Sequence, residues 1–350
     1  MDMELIEKKI NITTRILKLI SELEEFKGSF SSLSNLAPDK LNSLKKIATI
    51  ESIGSSTRIE GVKLTNDEIK ALLTGIEIKS FKNRDEQEVA GYSRLMNMIF
   101  NNYDEIKISE NIIKQFHKEL LFYAAKDVHH RGEYKKISNR VEAFDSSGKS
   151  VGVIFETATP FETPLKMEKL VEWLKESLDD KELHPLIIIS IFVITFLAIH
   201  PFQDGNGRLS RALTTLLLLK SSYKYVSYAS LEKVIEENKD SYYLALRNVQ
   251  VEKDSSIDGL IAWITFFLEC LVKQKNVLSK KIERENLLKS LPKLSEEILY
   301  LLKEHGKLSL KEVVKLTKAN RNTVKAHLFK LVDDNHIKKD GIGKGTIYFI

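Results

Sequence analysis

One stretch of this sequence indicates both its fold and its chemistry: HPFQDGNGRLSR, residues 200–211. It follows the most apolar segment of the chain, residues 186–199, and leads into a second apolar segment, RALTTLLLLK, at residues 211–220. Segments that are apolar over this length are typical of buried helices. The stretch therefore predicts a glycine-containing turn between two helices of the core.

The residues of the predicted turn suit an anion. A glycine-containing loop that enters a helix presents unpaired backbone N–H groups and the positive end of the helix dipole, and both favour phosphate. Arg208 and Arg211 are three positions apart and share a helical face, so both guanidinium groups can flank that anion. Asp204 offers a hard oxygen ligand where a Mg²⁺ ion bridging phosphates would lie, and His200 is a candidate base across the turn.

Each of these residues alone has a simpler explanation. A single His at a helix end is usually structural, and an Asp or Asn before a helix is usually a cap. Capping does not explain why a His, a carboxylate, a Gly-Asn-Gly turn and two arginines occur together within residues 200–211. The combination favours a phosphate site with a base beside it.

The stretch resembles the HPFx(D/E)GNGRxxR signature of Fic domains, which it matches at every defined position. The resemblance implies that AMP is transferred from ATP, the co-substrate, to a hydroxyl of a target protein, with Mg²⁺ as the cofactor. It implies the following roles: His200 as general base, Asp204 as Mg²⁺ ligand, Gly205, Asn206 and Gly207 as the phosphate-binding turn, Arg208 and Arg211 on the β- and γ-phosphates, and Phe202 as the anchor of the loop. Doc-type kinases carry a lysine in this turn, whereas this chain keeps Gly207, which favours AMP transfer over phosphorylation.

A β-hairpin is expected near this core. The runs RVEAF and VGVIF, within residues 140–155, flank the turn-forming residues 145–148, Asp-Ser-Ser-Gly. Residues 129–134, HHRGEY, resemble the segment that precedes the flap hairpin of Fic domains. The family commonly continues from the flap into a pair of prolines, and this chain has Phe-Glu-Thr-Ala-Thr-Pro at residues 155–160 instead.

A second motif precedes the core, at Ser55-Ser56-Thr57-Arg58-Ile59-Glu60-Gly61. Ser56 and Glu60 are four positions apart near the predicted end of a helix over residues 40–60, with Gly61 as its cap. A carboxylate at the negative end of a helix dipole needs a cation nearby, unless it is simply a solvated surface residue. The segment resembles the (S/T)xxxE(G/N) inhibitory motif of Fic proteins, which implies that Glu60 pairs with Arg211 and misaligns ATP.

The C-terminal residues differ from the rest. Residues 292–350 hold twelve Lys and Arg against seven Asp and Glu, an excess equal to the net charge of the whole chain, +5. Three short helices, at residues 295–304, 310–316 and 321–332, precede a glycine-rich ending that resembles a winged helix-turn-helix. Its candidate DNA contacts are Arg321, Lys325 and Lys330 on the predicted recognition helix, with Lys338, Lys339 and Lys344 in the wing. Winged helices also bind proteins, so both DNA and protein remain candidate partners of these residues.

Composition indicates a globular protein, and the recurrence of Leu and Ile at helical spacing indicates that it is mainly α. The chain has 350 residues, of which 43% are hydrophobic and 29% charged. Its length suggests two domains or one large domain with an appendage. The fold class that we expect is a Fic-type helical core with a short β-hairpin flap, plus a small winged-helix domain. We expect an N-terminal helical region at residues 1–110, the catalytic core at 111–285 and the winged helix at 286–350.

Other features indicate the compartment. One cysteine, Cys270, excludes an internal disulfide, and no Cys/His spacing of a zinc site is present. The start, MDMELIEKKINITT, lacks the pattern of a secretory signal, and the apolar run at residues 186–199 is shorter than the roughly 20 residues of a membrane span. We therefore expect a cytoplasmic protein with no membrane partner; a homodimer is left open.

Three functions remain in competition at this stage. The leading hypothesis is an autoinhibited protein adenylyltransferase that modifies a target protein, or itself. The second is a DNA-binding transcriptional regulator whose Fic domain only senses nucleotide. The third is a de-AMPylase, in which Glu60 orients a water for removal of AMP. ATP turnover separates the first from the second, and loss of Glu60 separates the first from the third.

Overall fold

A computed structural model describes residues 12–33, 38–74, 81, 83–144, 150–250, 257–289, 291–334, 336–341 and 345–350. The chain divides into two compact units, Met1–Leu278 and Ser279–Ile350. Helices dominate both, so the prediction of a mainly α protein is confirmed. No helix within the described ranges combines the length and apolarity needed to cross a bilayer.

The first unit contains ten helices in the described ranges, and an eleventh continues into the second unit. They are α1 (Thr14–Leu33), α2 (Pro38–Ile59), α3 (Asn66–Thr74), α4 (Arg84–Asn102), α5 (Glu110–Leu120), α6 (Thr163–Asp180), α7 (Pro185–Ile199), α8 (Asn206–Lys220), α9 (Leu231–Glu237), α10 (Lys239–Gln250) and α11 (Ile257–Lys289). Short 3₁₀ turns lie at Ala125–Asp127 and Lys224–Tyr228.

Helix α7 forms the centre of this unit. Its residues from Leu186 to Leu197 are all buried, as expected for a helix that is apolar on every side. It begins at Pro185, where a missing N–H costs nothing, and the preceding His184 side chain accepts a hydrogen bond from the Leu186 N–H. Helices α6 and α8 pack against α7. The core therefore holds both helices that flank residues 200–205.

The N-terminal helix α2 packs against α4, α8 and α9. It covers the predicted helix at residues 40–60, although Glu60 lies in the turn just beyond the last helical residue, Ile59. Gly61 has a φ of +103°, which glycine adopts without steric cost, and its N–H donates to the Arg58 carbonyl at 3.0 Å. This packing carries the end of α2 to the start of α8.

The predicted hairpin is present as β1 (Arg140–Phe144) and β2 (Ser150–Glu156). The strands are antiparallel, and Arg140 pairs with Glu156. The predicted turn residues 145–148 lie outside the described residues. Strand β2 contacts helix α10.

The helical segment over residues 231–250 is interrupted. The chain forms two helices there, α9 and α10, with Asn238 between them. The Asn238 side chain donates to the Val234 carbonyl at 2.7 Å. Asn competes in this way with the helical backbone for its own hydrogen bonds, which explains the break.

The second unit combines three helices with a three-stranded sheet. Its elements are α12 (Lys293–His305), β3 (Lys307–Ser309), α13 (Leu310–Thr317), α14 (Arg321–Asp333), β4 (Lys338–Asp340) and β5 (Ile347–Phe349). The sheet is antiparallel in the order β3-β5-β4. A core of apolar side chains such as Ile298, Val313 and Leu328 lies between the elements. The three predicted helices are confirmed, whereas β3 was not predicted because three residues are too few to show a period.

Candidate functional site

The loop between α7 and α8 has an unusual backbone. His200 ends α7 with a φ of +51°, and Gly205 precedes α8 with a φ of +79°. A side chain at position 205 would be strained by this φ, and its Cβ would lie 3.0 Å from Leu120 Cδ2. Phe202 is fully buried and stacks on His117, with ring centroids 3.9 Å apart. The predicted anchoring of the loop by Phe202 is therefore present.

Asn206 shapes the loop from within. Its Oδ1 accepts a hydrogen bond from the Phe202 N–H at 2.9 Å, and its Nδ2 donates to the Phe202 carbonyl at 2.8 Å. The side chain is 1% exposed. Both ends of the amide are thus committed to the protein, and only the backbone of Asn206 is left for an anion, together with the other N–H groups of the first turn of α8.

His200 has the tautomer that a base needs. Its Nδ1 lies 3.3 Å from the Leu197 carbonyl, so Nδ1–H donates there and Nε2 keeps its lone pair. Burial lowers the pKa of His200 to about 4, more than its hydrogen bond to Leu197 raises it. The ring is therefore neutral at pH 7, and Nε2 can accept a proton.

The sequence did not single out His117, a fully buried residue of α5. Its Nδ1 accepts the Gly132 N–H at 2.8 Å and its Nε2 donates to the Asp204 carbonyl at 3.0 Å. The ring therefore connects the HHRGEY segment to the loop that follows His200. Its place on the apolar side of α5, with Ile113 and Phe116, was the available signal.

Lys135 was also missed, and it is 3% exposed. Its ammonium donates to Asn139 Oδ1 and Thr157 Oγ1, each at 2.8 Å, and to the Ile199 carbonyl at 3.0 Å. Its backbone N–H donates to the Pro201 carbonyl at 2.8 Å. Burial lowers the pKa of Lys135 to about 8. Through its side chain and its backbone, Lys135 thus ties both ends of the hairpin to the residues on either side of His200.

Asp204 and Arg208 lie in a cluster of charges supplied by α4. Arg208 is 2% exposed, and its Nη1 lies 2.9 Å from Glu88 Oε2. Asp204 Oδ2 lies 2.9 Å from Arg84 Nη2 and 3.4 Å from Arg208 Nη2. Burial alone would raise the pKa of Asp204, but Arg208, the Gly205 N–H and Arg84 together lower it. Asp204 is therefore ionised, and Arg84 and Glu88 are parts of the site that sequence patterns did not reveal.

The donor set limits how a metal could bind. No group of three or more His, Cys, Asp or Glu side chains suited to a metal ion occurs within the described ranges. Mg²⁺ at nucleotide sites is commonly held by one or two carboxylates, with substrate phosphates and water as the other ligands. The Asp204 side chain, 39% exposed, fits that mode as a single carboxylate ligand.

Arg211 is held by both predicted residues of the second motif. Its Nε donates to Ser56 Oγ at 2.8 Å, and its Nη2 donates to the Ser56 carbonyl at 2.9 Å and to Glu60 Oε1 at 2.7 Å. Burial alone would lower the pKa of Arg211, but the carboxylate of Glu60 raises it. The predicted contact between Glu60 and Arg211 is present.

The same carboxylate also lies against the glycine turn. A Cβ on Gly207 would collide with Glu60 Oε1. Glu60 therefore occupies space at the start of α8, where the N–H groups and the helix dipole attract an anion. The structure brings together the two sequence motifs, which are about 150 residues apart in the chain.

Three predicted residues lie elsewhere, in the second unit. Arg321, Lys325 and Lys330 are exposed on α14. At about 100° per residue, Lys330 lies roughly 140° around the helix from Lys325, so the three residues do not form one stripe. Phe329, 69% exposed, lies on the same helix. Lys338 and Lys339 lie in β4, and Lys344 is outside the described residues.

Comparison with known proteins shows what the residues around this site resemble. Residues 107–218 match the Fic/DOC family. The Protein adenylyltransferase Fic of Drosophila mojavensis is 25% identical over 256 residues, which are 73% of this chain and 46% of that protein. The protein of the same name from Drosophila grimshawi is 26% identical over 258 residues, 73% of this chain and 48% of that protein. This chain therefore spans about half the length of these curated relatives.

Solved structures share the fold. A Fic domain containing signaling protein from Bacteroides thetaiotaomicron matches with a TM-score of 0.60 and 25% identity, over 77% of this chain and 97% of that chain. A Fic family protein from Desulfovibrio desulfuricans matches with a TM-score of 0.62 and 22% identity, over 97% of both chains. The predicted Fic-type helical fold is confirmed.

Proposed function

We propose, on the premise that residues 107–218 are a domain of the Fic/DOC family, that this chain is an autoinhibited protein adenylyltransferase. It would transfer AMP from ATP to a hydroxyl of a target protein, or of itself. The observation that carries the proposal is the double contact of Glu60, whose carboxylate pairs with Arg211 and lies against Gly207. The relatives named as adenylyltransferases support the chemistry.

His200 is the proposed general base. The target hydroxyl forms a bond to the α-phosphorus, the bond from that phosphorus to the β-bridging oxygen breaks, and pyrophosphate leaves. The hydroxyl proton moves to Nε2 of His200, whose lone pair is free because Nδ1–H faces Leu197. The first turn of α8 would bind the phosphates through its N–H groups, with Arg208 supplying charge from a buried position.

The Nε–H group of Arg208 can donate a hydrogen bond to a ligand. Its buried Nε has no hydrogen-bond partner among the residues that the structure describes. A buried donor left unpaired costs free energy, and a phosphate oxygen would remove that cost. Asp204 would hold a Mg²⁺ ion that neutralises charge developing on the leaving phosphates. For this, Asp204 must release Arg84 and Arg208, which both contact the same carboxylate oxygen.

Glu60 inhibits, on this proposal, by occupying Arg211 and the space beside Gly207. AMP transfer depends on holding the target hydroxyl, the α-phosphorus and the leaving oxygen in line. If the γ-phosphate of ATP does not contact Arg211, the α-phosphorus is poorly placed for attack. An ion pair of this kind, partly removed from water, can be worth about 1–3 kcal/mol, or roughly 5- to 150-fold in the competent population.

The test is auto-modification with labelled ATP. Glu60→Gly should label itself at least fivefold faster than wild type, because Arg211 is released. His200→Ala should lose labelling by a factor of about 10² to 10⁴ while still binding ATP. Equal labelling of wild type and Glu60→Gly across ATP concentrations would refute autoinhibition.

Two controls sharpen this test. Glu105→Gly removes an exposed carboxylate from the turn after α4, so it matches the chemical change without touching Arg211. Arg211→Ala should not imitate Glu60→Gly, because it removes the inhibitory partner and the phosphate ligand together. The double variant should be as inactive as Arg211→Ala alone. If Glu60→Gly instead abolishes removal of AMP from a modified target without raising transfer, the de-AMPylase hypothesis explains the site better.

The second unit supports an additional function in binding nucleic acid. Its order of helix, strand, helix, helix, strand, strand is that of a winged helix, and α14 would be the recognition helix. Arg321, Lys325 and Lys330 are exposed on that helix, and none of them has an ion-pair partner within the described ranges. The chain would then join a modifying domain to a DNA-binding one.

A further inference from the structure

A cavity of about 550 Å³ lies among α2, α3 and α4, apart from the residues of the site above. Its α2 side consists of Asn42, Lys45, Lys46, Thr49, Ile50 and Ile53, which recur at intervals of one helical face. Helix α3 contributes Lys70, Leu73 and Thr74, and α4 contributes Ser93 and Asn97. We call this space the α2–α3–α4 cavity. Ile53 is fully buried and Ser93 is 7% exposed, so the cavity reaches the core.

The charges of the cavity have one sign. Lys45 and Lys46 enter from α2 and Lys70 from α3, while no carboxylate is among the lining residues. Lys46 and Lys70 have no ion-pair partner within the described ranges. Lys45 lies over the Phe100 ring, with Nζ 5.4 Å from the ring centroid. Three lysines that line one concave surface without a carboxylate among the lining residues give it a positive potential, which favours a bound anion.

The remaining lining residues define the rest of the ligand. Hydroxyl groups of Thr49, Thr74 and Ser93 and amides of Asn42 and Asn97 can hydrogen-bond phosphate or ring substituents. Ile50, Ile53 and Leu73 offer an apolar surface for a ring. A concave site of this volume has the size of small-molecule sites, and its mainly polar lining with three apolar residues suits a charged ligand that carries a ring.

We propose that the α2–α3–α4 cavity binds a small phosphate-bearing molecule with a ring, separately from the phosphate turn at residues 205–207. The lysines bind the phosphate and the apolar residues contact the ring. A free phosphate ion would satisfy only the first of these contacts, so it should bind more weakly than a phosphorylated ring. The proposal does not depend on AMP transfer, because no lining residue belongs to the proposed active site.

Pyridoxal 5′-phosphate is a suitable probe. It carries a phosphate and an aromatic ring, and its aldehyde condenses with a neighbouring lysine amine to an imine, which borohydride reduces to a stable amine. The full chain is incubated with micromolar probe and no ATP, reduced, digested and mapped by mass spectrometry. We expect the label on Lys45, Lys46 or Lys70 at least fivefold above any other exposed lysine. Millimolar inorganic phosphate should reduce this labelling by competing for the lysines. Pyridoxal, which lacks the phosphate, should not label these lysines preferentially when it replaces the probe at the same micromolar concentration.

A matched pair of variants completes the experiment. Lys46→Met with Lys70→Met removes two charges from the cavity, and probe affinity should fall at least fivefold by fluorescence titration. Lys169→Met with Lys175→Met removes two exposed charges from α6 and should leave affinity unchanged. Label spread evenly over surface lysines, or labelling that phosphate does not reduce, overturns the proposal. The mapping on wild-type protein decides the question if a variant fails to fold.

Discussion

The Glu60 carboxylate fills the space beside Gly207, so this space cannot also hold a side chain at position 207. A Cβ at position 207 would collide with Glu60 Oε1, the mobile end of a flexible side chain. Gly207→Ala should therefore displace Glu60 and break its pair with Arg211, rather than distort α8. Since Ala is otherwise the better helix former, the cost should come from the broken ion pair.

We expect Gly207→Ala to lower the free energy of unfolding of wild type by about 1–2 kcal/mol. In a Glu60→Gly background the same change should cost nothing or stabilise slightly. Urea unfolding of the four proteins measures this coupling. An equal loss in both backgrounds would show that Glu60 does not rest against the turn.

His200 predicts a pH dependence of stability. Its pKa is about 4 in the folded protein, against about 6.5 when unfolded. Between these values the unfolded chain binds a proton that the folded protein does not, so stability falls as the pH drops from 6.5 towards 4. Above pH 6.5 the ring is neutral in both states and contributes no slope.

His200→Ala removes this proton and leaves every other titrating group in place. The difference in free energy of unfolding between wild type and His200→Ala should therefore decrease steadily from pH 7 to pH 4.5. Urea titrations at four pH values measure it, and a difference independent of pH would place the pKa of His200 near its ordinary value.

Two helices owe their close approach to one glycine. Gly91 of α4 lies so near the Leu120 carbonyl, at the end of α5, that an added Cβ would overlap it. The obstacle is backbone, which cannot rotate away as a side chain can. Gly91→Ala should therefore push α4 and α5 apart. Because Glu88 lies on α4 and His117 on α5, the change should also disturb the site.

We expect Gly91→Ala to destabilise the protein by about 1–3 kcal/mol or more. Gly28 of α1 is the matched control, because a Cβ there would meet no atom within 4 Å. Gly28→Ala should stabilise by about 0.5–1 kcal/mol through helix propensity alone. Thermal and urea unfolding compare the two, and equal effects would contradict the close packing.

At the scale of the whole molecule, the two compact units carry different proposed functions. If α14 contacts duplex DNA, full-length protein should bind it with an affinity that falls steeply with salt, because counterions are released from the phosphates. Arg321→Ala with Lys325→Ala should weaken binding and reduce the salt slope by about one for each phosphate that is no longer neutralised.

Lys293→Ala with Lys303→Ala is the control for this measurement, since both residues are exposed on α12 and the charge change is the same. Fluorescence anisotropy of labelled duplex DNA at low and moderate salt measures the affinity of both double variants. Absence of binding at low salt, or an equal effect of the two pairs, would favour protein recognition by this unit.

Local sequence patterns were sufficient to predict several helices and the loop between α7 and α8. The apolar run of α7 and the glycine turn depend on neighbours within a few residues, so the two helices that flank residues 200–205 and the loop between them were predicted from the sequence. Asn238 shows the limit, because a single side chain competing for backbone hydrogen bonds divided an otherwise helical pattern. The Glu60–Arg211 pair was predicted only through resemblance, since charge alone left several partners open.

The tertiary structure alone decided which distant groups meet. Lys135 reaches Ile199 and Glu88 reaches Arg208 because burial forces charged groups to find partners, and the packing of helices determines which partners are within reach. The α2–α3–α4 cavity arises in the same way, from three helices whose sequences show only scattered lysines. A sequence pattern records which face of an element is apolar, whereas the space between elements depends on how those faces pack.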